Sequence, residues 1–230
     1  MRRLYLFSIL LLLTWRLQAQ VNLIPNPGFE NYDQCPTGVA TMPYNAIVTV
    51  QDWFSPTLAS PDYFNSCNTN NTAGVPVNTY SYQPARNGNG YAGLMLMRKG
   101  NNANEWHEYV ETPLLEPLIA GRYYCFTYYL NAAFIYENNF TLDSVSSLYT
   151  DAIGVYVSKN KLLDSITGAI PVTPQWVNTP GNFITDTAGW VKLTGVYLAT
   201  GGEKWLTIGN FSPDAATAYV EADPGAPANL

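Results

Sequence analysis

Few residues in this chain have the type and spacing to do covalent chemistry. It holds one histidine, His107, so a Ser–His–Asp or Cys–His site would have to be built on it. No Gly-x-Ser-x-Gly elbow is present to raise a serine nucleophile. His107-Glu108 is not followed by a second histidine at the spacing a zinc-binding helix requires. Read as a strand, the segment places Glu105, His107, Tyr109 and Glu111 on one face, because strand side chains alternate with a period of two. Paired carboxylates on such a face could serve glycoside hydrolysis, which needs them about 5–10 Å apart. A polar face on an edge strand explains the same pattern with fewer assumptions, and the chain is read as having no catalytic residues.

The remaining candidates are aromatic. Trp53, Trp106, Trp176, Trp190 and Trp205 accompany 17 tyrosines. A ring held rigid and exposed on a β surface stacks on the apolar face of a pyranose, while polar neighbours bond the hydroxyls. Most of these rings are expected in the core, Tyr124, Phe126 and Trp190 above all. Trp106, Tyr109 and Trp176 lie in or beside polar, edge or loop segments and are the candidate ligand platforms. Residues 101–104, Glu105, Gln175 and Asn178 would supply groups suited to hydroxyls rather than phosphate.

The elements that must position these groups are β-strands. Residues 189–211, GWVKLTGVYLATGGEKWLTIGNF, predict two strands, 190–199 and 204–211, joined as a hairpin by Gly201-Gly202. Large apolar groups fall on both faces, which predicts a strand pair inside a sandwich. Residues 121–130, GRYYCFTYYL, form the clearest core strand, with Tyr124, Phe126, Tyr128 and Leu130 on one face and Tyr123, Cys125, Thr127 and Tyr129 on the other. Shorter strands are expected at 47–50, 91–97, 106–113 (an edge strand ended by Pro113), 152–158 and 218–223. Pro25 and Pro27 forbid a central strand near the start. Residues 60–89 read as a long polar surface excursion and 171–186 as a Pro/Asn/Gly-rich connection. No three-turn amphipathic helix and no solenoid repeat is present. The fold class is therefore all-β, a two-sheet antiparallel sandwich of jelly-roll type.

Composition narrows the function. Aromatics reach 14% while charged residues stand at 12%, which argues against disorder. Met1-Arg2-Arg3, an apolar run over 4–14 and Leu17-Gln18-Ala19 make a signal peptide of residues 1–20. That leaves residues 21–230 as a single exported β-sandwich domain, secreted or held at the cell surface. No further hydrophobic span follows. Removing the three leader arginines from the 11 basic residues leaves a charge of −9 against 17 acids. Such an acidic chain, without a Lys/Arg cluster, is a poor partner for nucleic acid or an anionic membrane.

Several stretches resemble the jelly-roll carbohydrate-binding modules of the galactose-binding-like class. Asn22-Leu23-Ile24-Pro25-Asn26-Pro27-Gly28-Phe29-Glu30 looks like their opening. Leu118-Ile119-Ala120-Gly121-Arg122-Tyr123-Tyr124 looks like the turn into one of their strands. Asn31-Tyr32-Asp33-Gln34-Cys35-Pro36, Ser60-Pro61-Asp62-Tyr63-Phe64-Asn65-Ser66-Cys67, Gly90-Tyr91-Ala92-Gly93 and Ile208-Gly209-Asn210-Phe211 are similar to a subgroup found before OmpA/MotB-type or type IX secretion sorting domains in gliding bacteria. The resemblance implies a polysaccharide or cell-envelope glycan as partner, an outer-membrane or envelope setting, and a following fusion domain. It also implies that the chain stops before the closing strand of the jelly roll. The alternative is a structural or adhesion domain of the outer envelope with no sugar ligand.

Two further expectations follow from the resemblance. Glu30 matches a first-strand carboxylate that helps hold a structural Ca²⁺, although the usual last-strand Asp is missing; a surface carboxylate at a strand end reads equally well. Cys35 and Cys67 occupy matching positions, so of the three pairings open to three thiols this one is implied. Export favours its oxidation. Cys125, set mid-strand between Tyr124 and Phe126, is expected as a small buried hydrophobe.

Overall fold

The computed structural model describes residues 21–40, 42, 49–98, 105–133 and 148–221. The signal peptide, the first half of the 47–50 strand, the 101–104 segment and the chain from residue 222 lie outside these. The chain is all-β. Its strands are β1 (Asp62–Asn65), β2 (Gly90–Gly93), β3 (Val110–Pro113), β4 (Tyr123–Leu130), β5 (Leu148–Thr150), β6 (Gly154–Ser158), β7 (Trp176–Val177), β8 (Val191–Leu198), β9 (Trp205–Gly209) and β10 (Tyr219–Glu221). Every pairing is antiparallel. No helix among the described residues is long and apolar enough to cross a membrane.

Two layers form the sandwich. One is a four-stranded sheet in the order β3-β9-β6-β7, the other an eight-residue ribbon of β4 and β8. Val155 and Val157 of β6 and Leu206 of β9 pack against Tyr124, Phe126 and Tyr128 of β4 and Tyr197 of β8. Ile153, Ile184 and Leu193 extend this core toward Leu130 and Val191. Burying such side chains contributes about 1.5–3 kcal/mol each. A second cluster of Met42, Val50, Trp53, Tyr63 and Val110 lies under the β1–β2 pair.

The segment 189–211 is not a hairpin. β8 pairs with β4 and β9 pairs with β3 and β6, so the two strands belong to opposite layers. Gly201 (φ 99°) and Gly202 (φ 88°) turn the chain across the sandwich instead. The Glu203 carboxylate holds this corner: Oε1 accepts from the Thr200 N–H (2.8 Å), the Thr200 hydroxyl (2.6 Å) and the Tyr197 hydroxyl (2.7 Å), and Oε2 accepts from the Gly201 N–H (2.9 Å). A glycine pair fits a hairpin and a sheet-to-sheet corner alike. Only the neighbours of each strand choose between them.

The polar 60–89 excursion also contains a surprise. Its start, Asp62–Asn65, is a fully buried strand. The Cys35–Cys67 disulfide (Cα–Cα 6.0 Å) closes a loop beside it. A closed loop of this size stabilises by roughly 3–4 kcal/mol in the chain-entropy estimate. Cys125 is exposed, not buried: it sits on the outward face of β4. β10 pairs with β5 through Tyr219↔Thr150, not with the first segment of the chain.

Close approach of the layers makes Gly195 indispensable. A Cβ there would stand 2.1 Å from Phe126 Cζ and 2.7 Å from Trp176 Cδ1. We expect Gly195→Ala to cost about 1–3 kcal/mol by overpacking, measured by denaturant unfolding. Gly38→Ala, where a Cβ meets nothing within 4 Å, serves as the neutral comparison. Equal stability of the two variants would refute the close-packing account.

Candidate functional site

The residues singled out in the sequence are scattered over several places. Glu105, His107, Tyr109 and Glu111 do share one face, yet that face is a buried seam rather than a solvated edge. Phe54 bridges Glu111 along the backbone (3.0 and 3.2 Å) and so covers the outer edge of β3. Residues 161–170 and 210–214 close over the side chains. Glu105 accepts from the Asp214 N–H (3.0 Å) and the Ala169 N–H (3.4 Å). His107, with no exposed surface, sets Nδ1 3.0 Å from the Asn210 carbonyl and Nε2 2.9 Å from Asp214 Oδ1. Both ring nitrogens are thus engaged in holding the 210–214 segment, leaving neither for a substrate. The Tyr109 hydroxyl donates to the Asn210 carbonyl and accepts from the Ile170 N–H (3.1 Å).

The three proposed platforms fare differently. Tyr109 has 0% exposure, so its ring cannot stack on a sugar. Trp176 stands edge-on to Phe126 (5.3 Å) and Tyr128 (6.0 Å) inside the sandwich, where it serves packing. Trp106 is half-buried, with its Nε1–H donating to Glu108 Oε1 (3.1 Å) and the Arg98 guanidinium 5.5 Å from its ring. Of the intended hydroxyl partners, Gln175 and Asn178 are occupied as well. Gln175 pairs with the backbone of Val157 (2.7 and 3.0 Å), and Asn178 donates to the Asp151 and Asn182 carbonyls. The structure therefore does not bring the three rings together.

Glu30 is exposed and spends its carboxylate on a turn. It accepts from the Asn89 N–H (2.8 Å), the Asn89 side-chain amide (3.1 Å) and the Gly90 N–H (3.1 Å). Among the described residues no three His, Cys, Asp or Glu side chains gather as a metal would require.

A third group was not anticipated. Asp62 of β1 and Glu108, which sits just before β3, are two buried carboxylates that repel one another. Burial pushes Glu108 up to about 8, the Asp62 charge adding to it, while N–H donors from Met95, Trp106 and Ser60 offset part of the rise. Burial likewise raises Asp62 to about 6 against a single N–H from Ala40. Glu111 rises to about 7 by burial, opposed by the Leu162 N–H, the Thr207 hydroxyl and nearby Lys161. The sequence signal was faint, because Asp62 lay in a stretch read as surface and Glu108 on the opposite face from Glu105.

One set of exposed side chains lies on the outer face of the ribbon. Tyr123, Cys125, Thr127 and Tyr129 of β4 stand opposite Leu198, Val196, Thr194 and Lys192 of β8. Tyr123 is 72% exposed, Val196 58% and Leu198 49%. The Arg86 guanidinium lies 3.4 Å from the centre of the Tyr129 ring. This face was legible as the second set of alternating residues in 121–130, opposite the set that holds Tyr124 and Phe126; the expectation that Cys125 on it would be buried is the one the structure corrects. Comparison with protein-family models, curated proteins and solved structures finds no match to this chain.

The three raised carboxyls set the pH response. Below about pH 4 they are protonated in both folded and unfolded chains and contribute no difference. Between about pH 4 and 8 the unfolded chain releases protons that the folded chain keeps, so stability falls as pH rises. Each group contributes at most about 1.4 kcal/mol per pH unit to that slope. Glu203 acts oppositely: burial alone would raise it, but its hydrogen bonds draw it down to about 2, so its contribution is lost only below about pH 4. Urea unfolding should show greater stability at pH 5 than at pH 8.5, with a shallower dependence in Glu108→Gln. A wild-type slope of the opposite sign would refute the assignment.

Proposed function

We propose that the chain is a non-catalytic module of an exported protein, held at the cell surface or outer envelope, and that it works by contact with glycan through the outer face of the β4–β8 ribbon. The observation that carries this reading is Tyr123, a largely exposed ring fixed on an eight-residue antiparallel strand. Thr127, Thr194 and Lys192 stand on the same face and offer hydroxyl and ammonium groups to sugar oxygens. No acid interrupts β4 or β8. The carboxylates and the histidine weighed for hydrolysis are engaged in holding the interior together, so no reaction is assigned to them.

A second reading rests on Val196 and Leu198. These exposed aliphatic side chains beside Tyr123 match a protein surface better than sugar hydroxyls. They favour a structural or adhesion domain of the envelope.

Sugar binding by a shallow face should be weak, since each ring adds about 1 kcal/mol beyond area burial. Dissociation constants of order 10⁻⁵ to 10⁻³ M are expected. The test is a polysaccharide array followed by calorimetry on wild type, Tyr123→Ala and Trp176→Ala. Tyr123→Ala should abolish binding with an unchanged Tm, whereas Trp176→Ala should lower stability by about 3 kcal/mol through the cavity it leaves. Absence of binding to every polysaccharide would remove the glycan reading and leave the envelope-scaffold reading.

A further inference from the structure

β4 is an unusual edge. Among the described residues it pairs with β8 alone, and no backbone hydrogen bond reaches its other side between Tyr123 and Leu130. Sheet edges are ordinarily protected by charge, proline, a bulge, shortness or a covering loop. The outer edge of β3 is covered by Phe54, β7 is two residues long, and β8 carries Lys192 at an exposed position. β4, YYCFTYYL, is eight residues long and has no charge, proline or glycine.

The ladder tells which backbone groups face away from β8 and have no backbone partner among the described residues. The Ala199 N–H donates to the Arg122 carbonyl (2.9 Å), which fixes the phase of the alternation. Tyr123, Cys125, Thr127 and Tyr129 then turn their N–H and C=O groups away from β8. A row of alternating donors and acceptors about 20 Å long is matched by another extended backbone.

The side chains indicate whose backbone. Residues 123–129 read Tyr-Tyr-Cys-Phe-Thr-Tyr-Tyr, nearly the same in either direction about Phe126. A two-fold antiparallel pairing centred there sets Tyr123 opposite Tyr129, Tyr124 opposite Tyr128, and Cys125 opposite Thr127 of the other copy. Ring meets ring and small meets small, with no like charges apposed. A self-complementary patch of this kind is what a two-fold dimer requires. We propose that β4 pairs edge to edge with β4 of a second copy of this chain, producing a continuous sheet in the order β8-β4-β4-β8. The contact is short compared with a stable interface of about 800 Å² per partner, so the dimer should be reversible, with a Kd of order 10–100 μM.

Sedimentation of residues 21–230 with the Cys35–Cys67 disulfide intact, from about 1 to 500 μM, tests this. Wild type should pass from monomer to dimer across that range. Thr127→Lys adds a charge on the outward face and should weaken association at least roughly tenfold. Thr127→Pro removes an N–H that points away from β8 and should do the same without loss of the fold. Circular dichroism identifies any variant that has unfolded, and the other then carries the test. In Thr127→Cys, mild oxidation with diamide should give an intermolecular bond between Cys125 and the introduced thiol, located by peptide mapping. A wild type that stays monomeric at 500 μM, a dimer indifferent to both folded variants, or a bond mapping elsewhere would each overturn the proposal.

Discussion

The structure depends on the carbonyl of Asn210 and the two side chains that reach it. His107 and Tyr109, alternate residues on the run into β3, both bond this one oxygen. Gly209 lets them approach, since a Cβ there would stand 2.2 Å from the Tyr109 ring. Asn210 extends the joint, donating to the Leu96 carbonyl and the Thr217 hydroxyl and accepting from the Ser212 N–H. Buried polar groups are tolerable only when such partners are complete. The seam ties the end of β9 to the beginning of β3 and gives the chain's one histidine a structural role.

From that joint the asymmetry of the sandwich follows. β9 lies between β3 and β6 in the broad sheet, while the chain before it, across the Gly201-Gly202 corner, lies in the ribbon opposite. The broad sheet is sealed along β3 by Phe54. Among the described residues the ribbon presents an outer face and an unpaired β4 edge, and Tyr123, Val196 and Leu198 stand exposed on that face.

The acidic interior adds a constraint of its own. Asp62 and Glu108 are both buried and supplied mainly with N–H donors, and burial raises both carboxyls, the Asp62 charge adding to the rise at Glu108. Glu111 has one oxygen with no hydrogen-bond partner among the described residues. These groups make the fold more comfortable in mild acid than in base, while the Glu203 corner, fully supplied with donors, opposes that trend only in strong acid.

The sequence by itself determined the strand character of the chain, and with it the all-β class, because alternation and β-branched and aromatic content are local properties. Within 121–130 it also separated the two faces correctly, with Tyr124, Phe126 and Tyr128 together. It could not say that β8 and β9 part company at Gly201-Gly202, since a glycine pair permits either turn and the choice lies with distant partners in β4, β3 and β6. Nor could it tell that Tyr109 and His107 are buried while Tyr123 and Cys125 are exposed. Alternation fixes which residues share a face, but burial is decided by what other segments lay over that face, here Phe54 and residues 161–170 and 210–214. Asp62 was missed for the same reason: a short buried strand inside a polar stretch carries too few residues for a period, and only its pairing with β2 defines it.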